Sequence, residues 1–174
     1  GGDTRGRQTM SEVTLHLGDC LPFMQSMASG SVDAVITDPP YPDADYQKYK
    51  YTPINELANF ECKQLIFWSN KADFPLAYTA IHIWDKLNGG SSQYERIFER
   101  NGSYKYCCYR QYLVNSTVAA NYTNDIFTGH PSQKPARLLR KLLLEHTQPG
   151  DTIFDPFMGS GTTGVACVQL GRSF

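Results

Sequence analysis

Residues 152–162 read Thr-Ile-Phe-Asp-Pro-Phe-Met-Gly-Ser-Gly-Thr, a short apolar run that leads into a turn rich in proline and glycine. Residues 163–170 are mostly small or apolar and end at Gly171, a pattern typical of a helix that stops at a glycine. A second apolar run, residues 32–37, leads into Asp-Pro-Pro-Tyr at residues 38–41. A nearly continuous apolar run indicates a strand buried on both faces. The sequence therefore predicts two buried strands, each with an aspartate at its C-terminal tip.

Further strands and helices are predicted on both sides of these runs. Asn101-Gly102 predicts a hairpin turn between the last two of the other strands. Strands that alternate with helices predict a three-layer α/β sandwich with a mainly parallel sheet. The other predicted strands are 13–17, 64–69, 81–84, 94–100 and 104–114, and the other predicted helices are 21–29 and 135–147.

The composition of the chain indicates a single soluble domain. Residues 1–10 are expected to be a flexible lead or cloning remnant, and 11–174 the folded domain. No apolar run predicts a membrane span or a signal peptide. Five cysteines without a Cys-x-x-Cys pair favour a reduced, cytoplasmic setting. The four histidines are scattered, so no metal site is predicted, and a net charge of −1 leaves only local basic clusters for nucleic acid.

The turn at residues 155–162 is suited to hold an anionic ligand. Gly159 and Gly161 would let the backbone approach a ligand closely. The helix that follows directs its N–H groups and its positive dipole end at that ligand, and the hydroxyls of Ser160 and Thr162 could add hydrogen bonds. A turn without a ligand and a nucleotide phosphate loop are the alternatives. A Walker loop is excluded because no lysine follows the last glycine.

Asp38, Pro39, Pro40 and Tyr41 are suited to grip an exocyclic amino group of a nucleic-acid base. The Asp38 carboxylate and the Pro39 carbonyl can accept both N–H hydrogens, which frees the nitrogen lone pair for attack on a methyl donor. The prolines stiffen the turn, so the acceptors are preorganised toward developing positive charge. Tyr41 could stack on a base taken out of the helix. The alternative is a proline-rich turn with a capping aspartate.

The two motifs, in this order, resemble the S-adenosylmethionine-dependent, amino-methylating DNA methyltransferases of the permuted beta class. This resemblance implies a Rossmann-like class I methyltransferase fold with a circularly permuted motif order. It also implies S-adenosylmethionine as the cofactor, S-adenosylhomocysteine as the product and no metal. In the family, the turn holds the cofactor, which here implies Asp155, Pro156, Phe157, Gly159, Ser160, Gly161 and Thr162.

Two further segments resemble cofactor-binding parts of the family. Gly18-Asp19-Cys20 is similar to a Gly-Asp whose aspartate contacts the cofactor adenine, which implies Asp19 and Cys20; a helix N-cap is the alternative. Residues 130–135, His-Pro-Ser-Gln-Lys-Pro, resemble His-Pro-Thr-Gln-Lys-Pro, which lies along the methionine end of the cofactor. This implies Ser132, Gln133 and Lys134, with a simple helix lead-in as the alternative.

The chain departs from the family pattern in two ways. Family members continue beyond the position of Phe174 to an acidic residue that binds the cofactor ribose, so the domain is expected to be incomplete at its C-terminus. About ninety residues separate Tyr41 from His130, which leaves little room for a target-recognition region. Sequence specificity is then expected to be short or to come from a partner subunit.

The expected function is transfer of a methyl group to the amino group of a flipped base in DNA. N6 of adenine is preferred, because Asp-Pro-Pro-Tyr resembles the adenine enzymes. The alternatives are N4 of cytosine, an RNA or protein amide substrate, and an inactive subunit that binds cofactor or DNA. Expected partners are DNA, a second copy of the chain and a restriction or recognition subunit.

Overall fold

The computed structural model describes residues 11–42, 53–86, 93–103, 106–110 and 133–174. All five cysteines lie among them and carry free thiols. No helix in these ranges is both long and apolar enough to cross a bilayer. In chain order, the described residues form α1 (Cys20–Ser26), β1 (Ala34–Thr37), a 3-10 helix (Ile54–Asn59), β2 (Lys63–Trp68), β3 (Ala80–Asp85), β4 (Tyr94–Arg100), β5 (Cys108–Tyr109), α2 (Ala136–His146), β6 (Ile153–Phe154) and α3 (Thr162–Gln169).

The strands form one mixed sheet in the order β5-β3-β4-β2-β1-β6. β1 lies between β2 and β6 and is parallel to both, and β3 is parallel to β5. β4 is antiparallel to β2 and β3. The carboxyl ends of the parallel strands and the amino end of β4 therefore meet at one edge of the sheet. The mainly parallel α/β sheet predicted from the sequence is confirmed.

The central strands are apolar throughout because both of their faces are covered. Ile36 and Leu65 pack on the side of α2 and α3 with Leu142. Val35 and Ile66 point the other way, where they pack with Met24 of α1 and Leu57 of the 3-10 helix. Side chains alternate between the faces of a strand, so a strand in a three-layer sandwich needs apolar residues at consecutive positions.

The helix predicted at 135–147 is observed as α2. Pro135 is its N-cap residue, with φ of −62°, and Thr147 ends it. One face is buried through Leu138, Leu139, Leu142 and Leu143, whereas the exposed face is mostly polar and carries a single leucine, Leu144. This stripe of buried leucines holds α2 on the sheet.

The segment 13–17 is not a strand, contrary to the prediction. Its only backbone partner in the described residues is the C-terminal segment, where Thr14 N donates to Phe174 O at 2.7 Å and Phe174 N to Glu12 O at 2.8 Å. One pair of hydrogen bonds does not make a ladder, and the alternating side chains remain exposed, Leu17 fully so.

The hairpin predicted around Asn101-Gly102 is wrong. Asn101 does adopt a left-handed turn conformation, with φ of 54°, and its side-chain amide donates to the carbonyls of Phe60 and Cys62. However, β4 pairs with β3 and β2, and β5 pairs with β3. Of the segment predicted as the second strand, 104–105 and 111–114 lie outside the described residues.

Candidate functional site

The two aspartates predicted at strand tips lie at the same edge of the sheet. β1 and β6 are adjacent, and Val35 is paired with Phe154, the residue before Asp155. Thr37, the residue before Asp38, donates its hydroxyl hydrogen to Asp155 Oδ1 at 2.5 Å. The two motifs are therefore joined directly, although most of the chain separates them in sequence.

The Asp155 carboxylate is held by neutral groups of its own turn. Thr163 Oγ1 donates to Oδ2 at 2.8 Å, and Phe157 N donates to Oδ1 at 3.1 Å. Burial raises the pKa of Asp155 to about 6, and the hydrogen bonds from Thr37, Thr163 and Phe157 counteract part of that rise. These bonds fix the shape of the turn between β6 and α3.

The glycines of this turn have the conformations that make it possible. Gly159 has φ of 54°, and Gly161, the N-cap of α3, has φ of 74°. Both values lie in the left-handed region that residues with a Cβ rarely adopt. The turn closes through a hydrogen bond from Gly161 N to Met158 O at 2.9 Å, and the hydroxyls of Ser160 and Thr162 lie 2.7 Å apart.

A cavity of about 380 Å³ lies between the segment that precedes α1 and this turn. Its volume falls in the range of about 300–1,000 Å³ that is typical of small-molecule sites. Of the residues predicted to bind the cofactor, Cys20, Asp155 and Pro156 line it. Asp19 serves as the N-cap of α1, where its Oδ1 accepts from Leu21 N at 3.0 Å. That is the alternative the sequence left open for Asp19.

Three aromatic residues that the sequence did not single out line the cavity. The rings of His16 and Phe23 are stacked, with centroids 4.5 Å apart and an angle of 21° between their planes. Phe154 follows, its ring centroid 5.9 Å from that of Phe23. These rings add aromatic surface to the lining of the cavity, on which a planar ligand can pack. The sequence signal that could have found His16 and Phe23 is their position on either side of Gly18-Asp19-Cys20.

Both oxygens of the Asp38 carboxylate are engaged. Tyr41 donates its hydroxyl hydrogen to Asp38 Oδ1 at 2.6 Å, and Lys134 Nζ donates to Oδ2 at 2.5 Å. The side chain of Asp38 is 23% exposed and that of Lys134 is 10% exposed. Lys134 was predicted near the cofactor; the structure places its ammonium on Asp38. Gln133 is buried, and Ser132 lies outside the described residues.

Glu95 completes this cluster and was not predicted from the sequence. Its Oε1 accepts from Lys86 Nζ at 2.5 Å. Its Oε2 lies 3.2 Å from the Tyr41 hydroxyl and 3.3 Å from Lys134 Nζ. Glu95 reaches this edge because β4 is antiparallel to its neighbours and begins where they end.

The ionisable groups of this cluster shift one another's pKa values. Burial alone would raise the pKa of Glu95, but the ammoniums of Lys134 and Lys86 outweigh it and lower that pKa. Burial opposes the charge of Lys134, yet the carboxylates of Asp38 and Glu95 raise its pKa. Burial and the same carboxylates raise the pKa of Tyr41 well above its usual value. Lys134 therefore stays protonated and Tyr41 stays neutral at physiological pH.

The Tyr41 ring packs inside the protein at this site. Its centroid lies 5.7 Å from that of Trp68, at an interplanar angle of 60°, and Lys134 Nζ lies 5.9 Å from it. Pro39, which follows Asp38, is buried. The stacking of Tyr41 on a base stays a prediction.

Two of the histidines that are scattered in sequence come together in the fold. His82 Nε2 lies 2.8 Å from Glu99 Oε2, and the ring of His146 lies 5.3 Å from that of His82. Donor atoms of these three residues lie within 4.8 Å of one another, so they could hold a metal ion. The Glu99 carboxylate already accepts from Ser103 N at 2.9 Å, and the His146 ring nitrogen contacts the Tyr109 hydroxyl at 3.3 Å. We assign this group to the core.

Sequence comparisons place the chain near DNA methyltransferases. A family model described as DNA methylase, of the N6 and N4 type, matches residues 45–174. The type II methyltransferase M2.DpnII of Streptococcus pneumoniae is 58% identical over 45 residues, which is 26% of this chain and 17% of that protein. The DNA adenine methyltransferase YhdJ of Escherichia coli is 45% identical over 53 residues, 30% of this chain and 18% of that protein. The matched segments span less than a fifth of either relative.

Solved structures share the fold over nearly the whole chain. The M1.HpyAVI–SAM complex superposes with a TM-score of 0.56 and 24% identity, covering 95% of this chain and 92% of that one. The cytosine-N4-specific PvuII DNA methyltransferase superposes with a TM-score of 0.65 and 15% identity, covering 95% and 81%. At these identities the likeness shows the fold, which is the predicted class I methyltransferase fold.

Proposed function

The chain belongs to the DNA methylase family of N6 and N4 methyltransferases, and from this premise we propose that it methylates the exocyclic amino group of a base in DNA, preferably N6 of adenine, with S-adenosylmethionine as the donor. The observation that carries the proposal is the hydrogen bond from Thr37 to Asp155. It joins the strand that ends in Asp38 to the turn that borders the cavity. Asp38, the proposed acceptor of the amino hydrogens, is therefore a neighbour of the cavity that is proposed to hold the cofactor.

The residues around the cavity fit S-adenosylmethionine. The rings of His16 and Phe23, which line the cavity, suit its adenine. The amino end of α3, which follows the lining residue Met158 along the chain, suits its carboxylate. Cys20, Asp155 and Pro156 border the space between. The cofactor, when bound, supplies an electrophilic methyl group on a sulfonium. We propose that Phe157, Gly159, Ser160, Gly161 and Thr162 shape or contact its methionine end, and that Asp19 acts through the position of α1.

The chemistry at Asp38 follows from the weakness of the amine. The lone pair of an exocyclic amino group is conjugated with the ring, so the nitrogen is a poor nucleophile. The Asp38 carboxylate and the Pro39 carbonyl would accept its hydrogens and stabilise the positive charge that develops on the nitrogen. Methyl transfer would form the carbon–nitrogen bond as the carbon–sulfur bond of the donor breaks, and Asp38, the adjacent base, would take the proton that the nitrogen loses. Pro40 stiffens the turn and Tyr41 orients Asp38.

Adenine is the preferred target in this proposal. Asp-Pro-Pro-Tyr resembles the adenine enzymes, and one matched relative is named a DNA adenine methyltransferase. N4 of cytosine is the alternative, because its amine presents the same two hydrogens and the family includes both types. The base must leave the helix to reach a site at the edge of the sheet. By analogy with the family alone, we also propose that the protein forms a homodimer and has a restriction or recognition partner.

Nucleoside analysis tests this function. Full-length protein is incubated with methyl-labelled S-adenosylmethionine and unmethylated bacterial DNA, and the digested nucleosides are examined by mass spectrometry. We expect labelled N6-methyladenine; labelled N4-methylcytosine would change the target base. Asp38→Ala should lose the product and still bind the cofactor. A wild-type protein that binds S-adenosylmethionine and yields no methylated nucleoside would instead be a binding subunit.

A further inference from the structure

The contact between Lys134 and Asp38 is at odds with the proposed reaction, on which this inference rests. Lys134 Nζ lies 2.5 Å from Asp38 Oδ2, on the carboxylate that must accept an amino hydrogen. An ammonium there weakens the carboxylate as an acceptor. It also places a positive charge beside the nitrogen on which positive charge develops, and like charges at short range raise the energy of that state. Lys134 must therefore leave Asp38 before methyl transfer.

Lys134 cannot simply move into water. Its side chain is only 10% exposed, and it packs against apolar surface, with Nζ 5.3 Å from the Phe67 ring centroid. A buried ammonium that loses its partner is strongly destabilising. The lysine needs a second carboxylate within the same enclosure.

Glu95 is that second carboxylate, already in place. Its Oε2 lies 3.3 Å from Lys134 Nζ, so a small movement of the lysine head would change its main partner. The side chain of Glu95 is 11% exposed, and Lys86 binds the other oxygen, Oε1, at 2.5 Å. The Tyr41 hydroxyl touches both carboxylates, at 2.6 Å from Asp38 Oδ1 and 3.2 Å from Glu95 Oε2.

We propose that Glu95 is a positioning residue that takes over the Lys134 ammonium when the amino group of the target base enters. Asp38 Oδ2 is then free to accept the amino hydrogen, while Tyr41 keeps the carboxylate oriented through Oδ1. Lys134 remains protonated while it changes partner, so this movement itself transfers no proton and leaves the net charge of the cluster unchanged. Lys86 keeps Glu95 ionised and fixed in place.

The test compares kcat of a single variant and two double variants, measured at saturating S-adenosylmethionine with the nucleoside assay. Glu95→Gln preserves shape but removes the charge that receives Lys134, so Lys134 should stay on Asp38. We expect kcat to fall about tenfold or more, within the coupling known for contacting residues. The affinity for S-adenosylmethionine should stay within about twofold, because Glu95 does not line the cavity.

Rescue distinguishes this role from a structural one. In Glu95→Gln/Lys134→Met no ammonium remains on Asp38, so kcat should rise above that of Glu95→Gln. Glu95→Gln/Lys86→Met is the matched control, since Lys86 contacts Glu95 at the oxygen away from Lys134. That double variant should show no rescue. Thermal unfolding checks that each variant folds. Glu95→Asp replaces Glu95→Gln if the latter does not fold, because its shorter side chain withdraws the carboxylate from Lys134 and the same outcomes are then expected.

Each outcome has one meaning. A kcat of Glu95→Gln equal to that of wild type overturns the proposal, as does a Lys134→Met double variant no faster than Glu95→Gln. Rescue by Lys86→Met as well would also overturn it, because the effect would then follow total charge rather than Lys134. If wild type itself forms no methylated nucleoside, the proposed function fails and this inference fails with it, which the wild-type assay reveals first.

Discussion

Asp38 and Asp155 occupy equivalent positions in the fold but differ in their surroundings. Each directly follows a buried parallel strand, and the two strands are adjacent. Asp38 is bound by an ammonium and a phenol, in a cluster with Glu95. Asp155 is bound by two threonine hydroxyls and a backbone N–H. One carboxylate lies among charged side chains, whereas the other is held by neutral donors.

Under the proposed function, this difference assigns Asp38 to the reaction and Asp155 to the framework of the site. A carboxylate whose partners can change is suited to a step in which charge develops and a hydrogen bond must be exchanged. A carboxylate held by short side chains and backbone of its own turn is suited to keep a binding loop in one shape.

The largest effect is expected on kcat from Asp38→Asn. The amide retains one oxygen but loses the negative charge that faces the attacking nitrogen, so kcat should fall by about 100- to 1,000-fold. The dissociation constant of S-adenosylmethionine, measured by calorimetry, should change little. Asp155→Asn is the matched control, with the opposite pattern expected. Equal losses of kcat in the two variants would remove the contrast between the aspartates.

The next effect is on stability, from Asp155→Ala. This change leaves the hydroxyls of Thr37 and Thr163 and the N–H of Phe157 without their acceptor. The free energy of unfolding should fall by about 3 kcal/mol, as measured by urea denaturation. Asp38→Ala should cost less, because Lys134 and Tyr41 still have Glu95 as a partner. A greater loss from Asp38→Ala would show that the charged cluster, not the turn, is the framework.

The smallest effect is a pH dependence of stability from Asp155. Its pKa is raised from 3.8 to about 6 in the folded protein, so the folded state binds the proton more tightly than the unfolded state. Stability from this group is therefore fully present below about pH 4 and is lost as the pH rises through about 6. Relative to Asp155→Asn, wild type should lose about 2 kcal/mol across this window, followed by urea denaturation at several pH values. A flat difference would contradict the raised pKa.

The strand tips could be predicted from the sequence because their pattern is local. A run of apolar residues that ends in Asp-Pro identifies both the strand and the carboxylate at its end, as at Asp38 and Asp155. A mainly parallel sheet places the tips of both strands at one edge, whereas the adjacency of β1 and β6 is seen only in the structure. The glycine turn likewise needed only nearby residues, and Gly159 and Gly161 have the positive φ values that such a turn requires.

Glu95 could not be found in this way. Residues 94–100 were recognised as a strand, but the direction and the partners of that strand depend on contacts far along the chain. The incorrect hairpin at Asn101-Gly102 came from the same limit, since the turn was read correctly and its continuation was not. Lys134 was found by resemblance, yet its ammonium lies on Asp38, a contact that depends on the packing of distant segments.

Under the proposed function, the hydroxyl of Thr37 would link the cofactor site and the base site thermodynamically. Thr37 precedes Asp38 in the chain and is hydrogen-bonded to Asp155. A shift of either aspartate would therefore be transmitted to the other through Thr37. Linkage is reciprocal: the factor by which a bound cofactor changes the affinity for the target base is the factor by which the base changes the affinity for the cofactor. Bound DNA would then change how tightly the cofactor is held, and S-adenosylhomocysteine, the product, would change how tightly DNA is held.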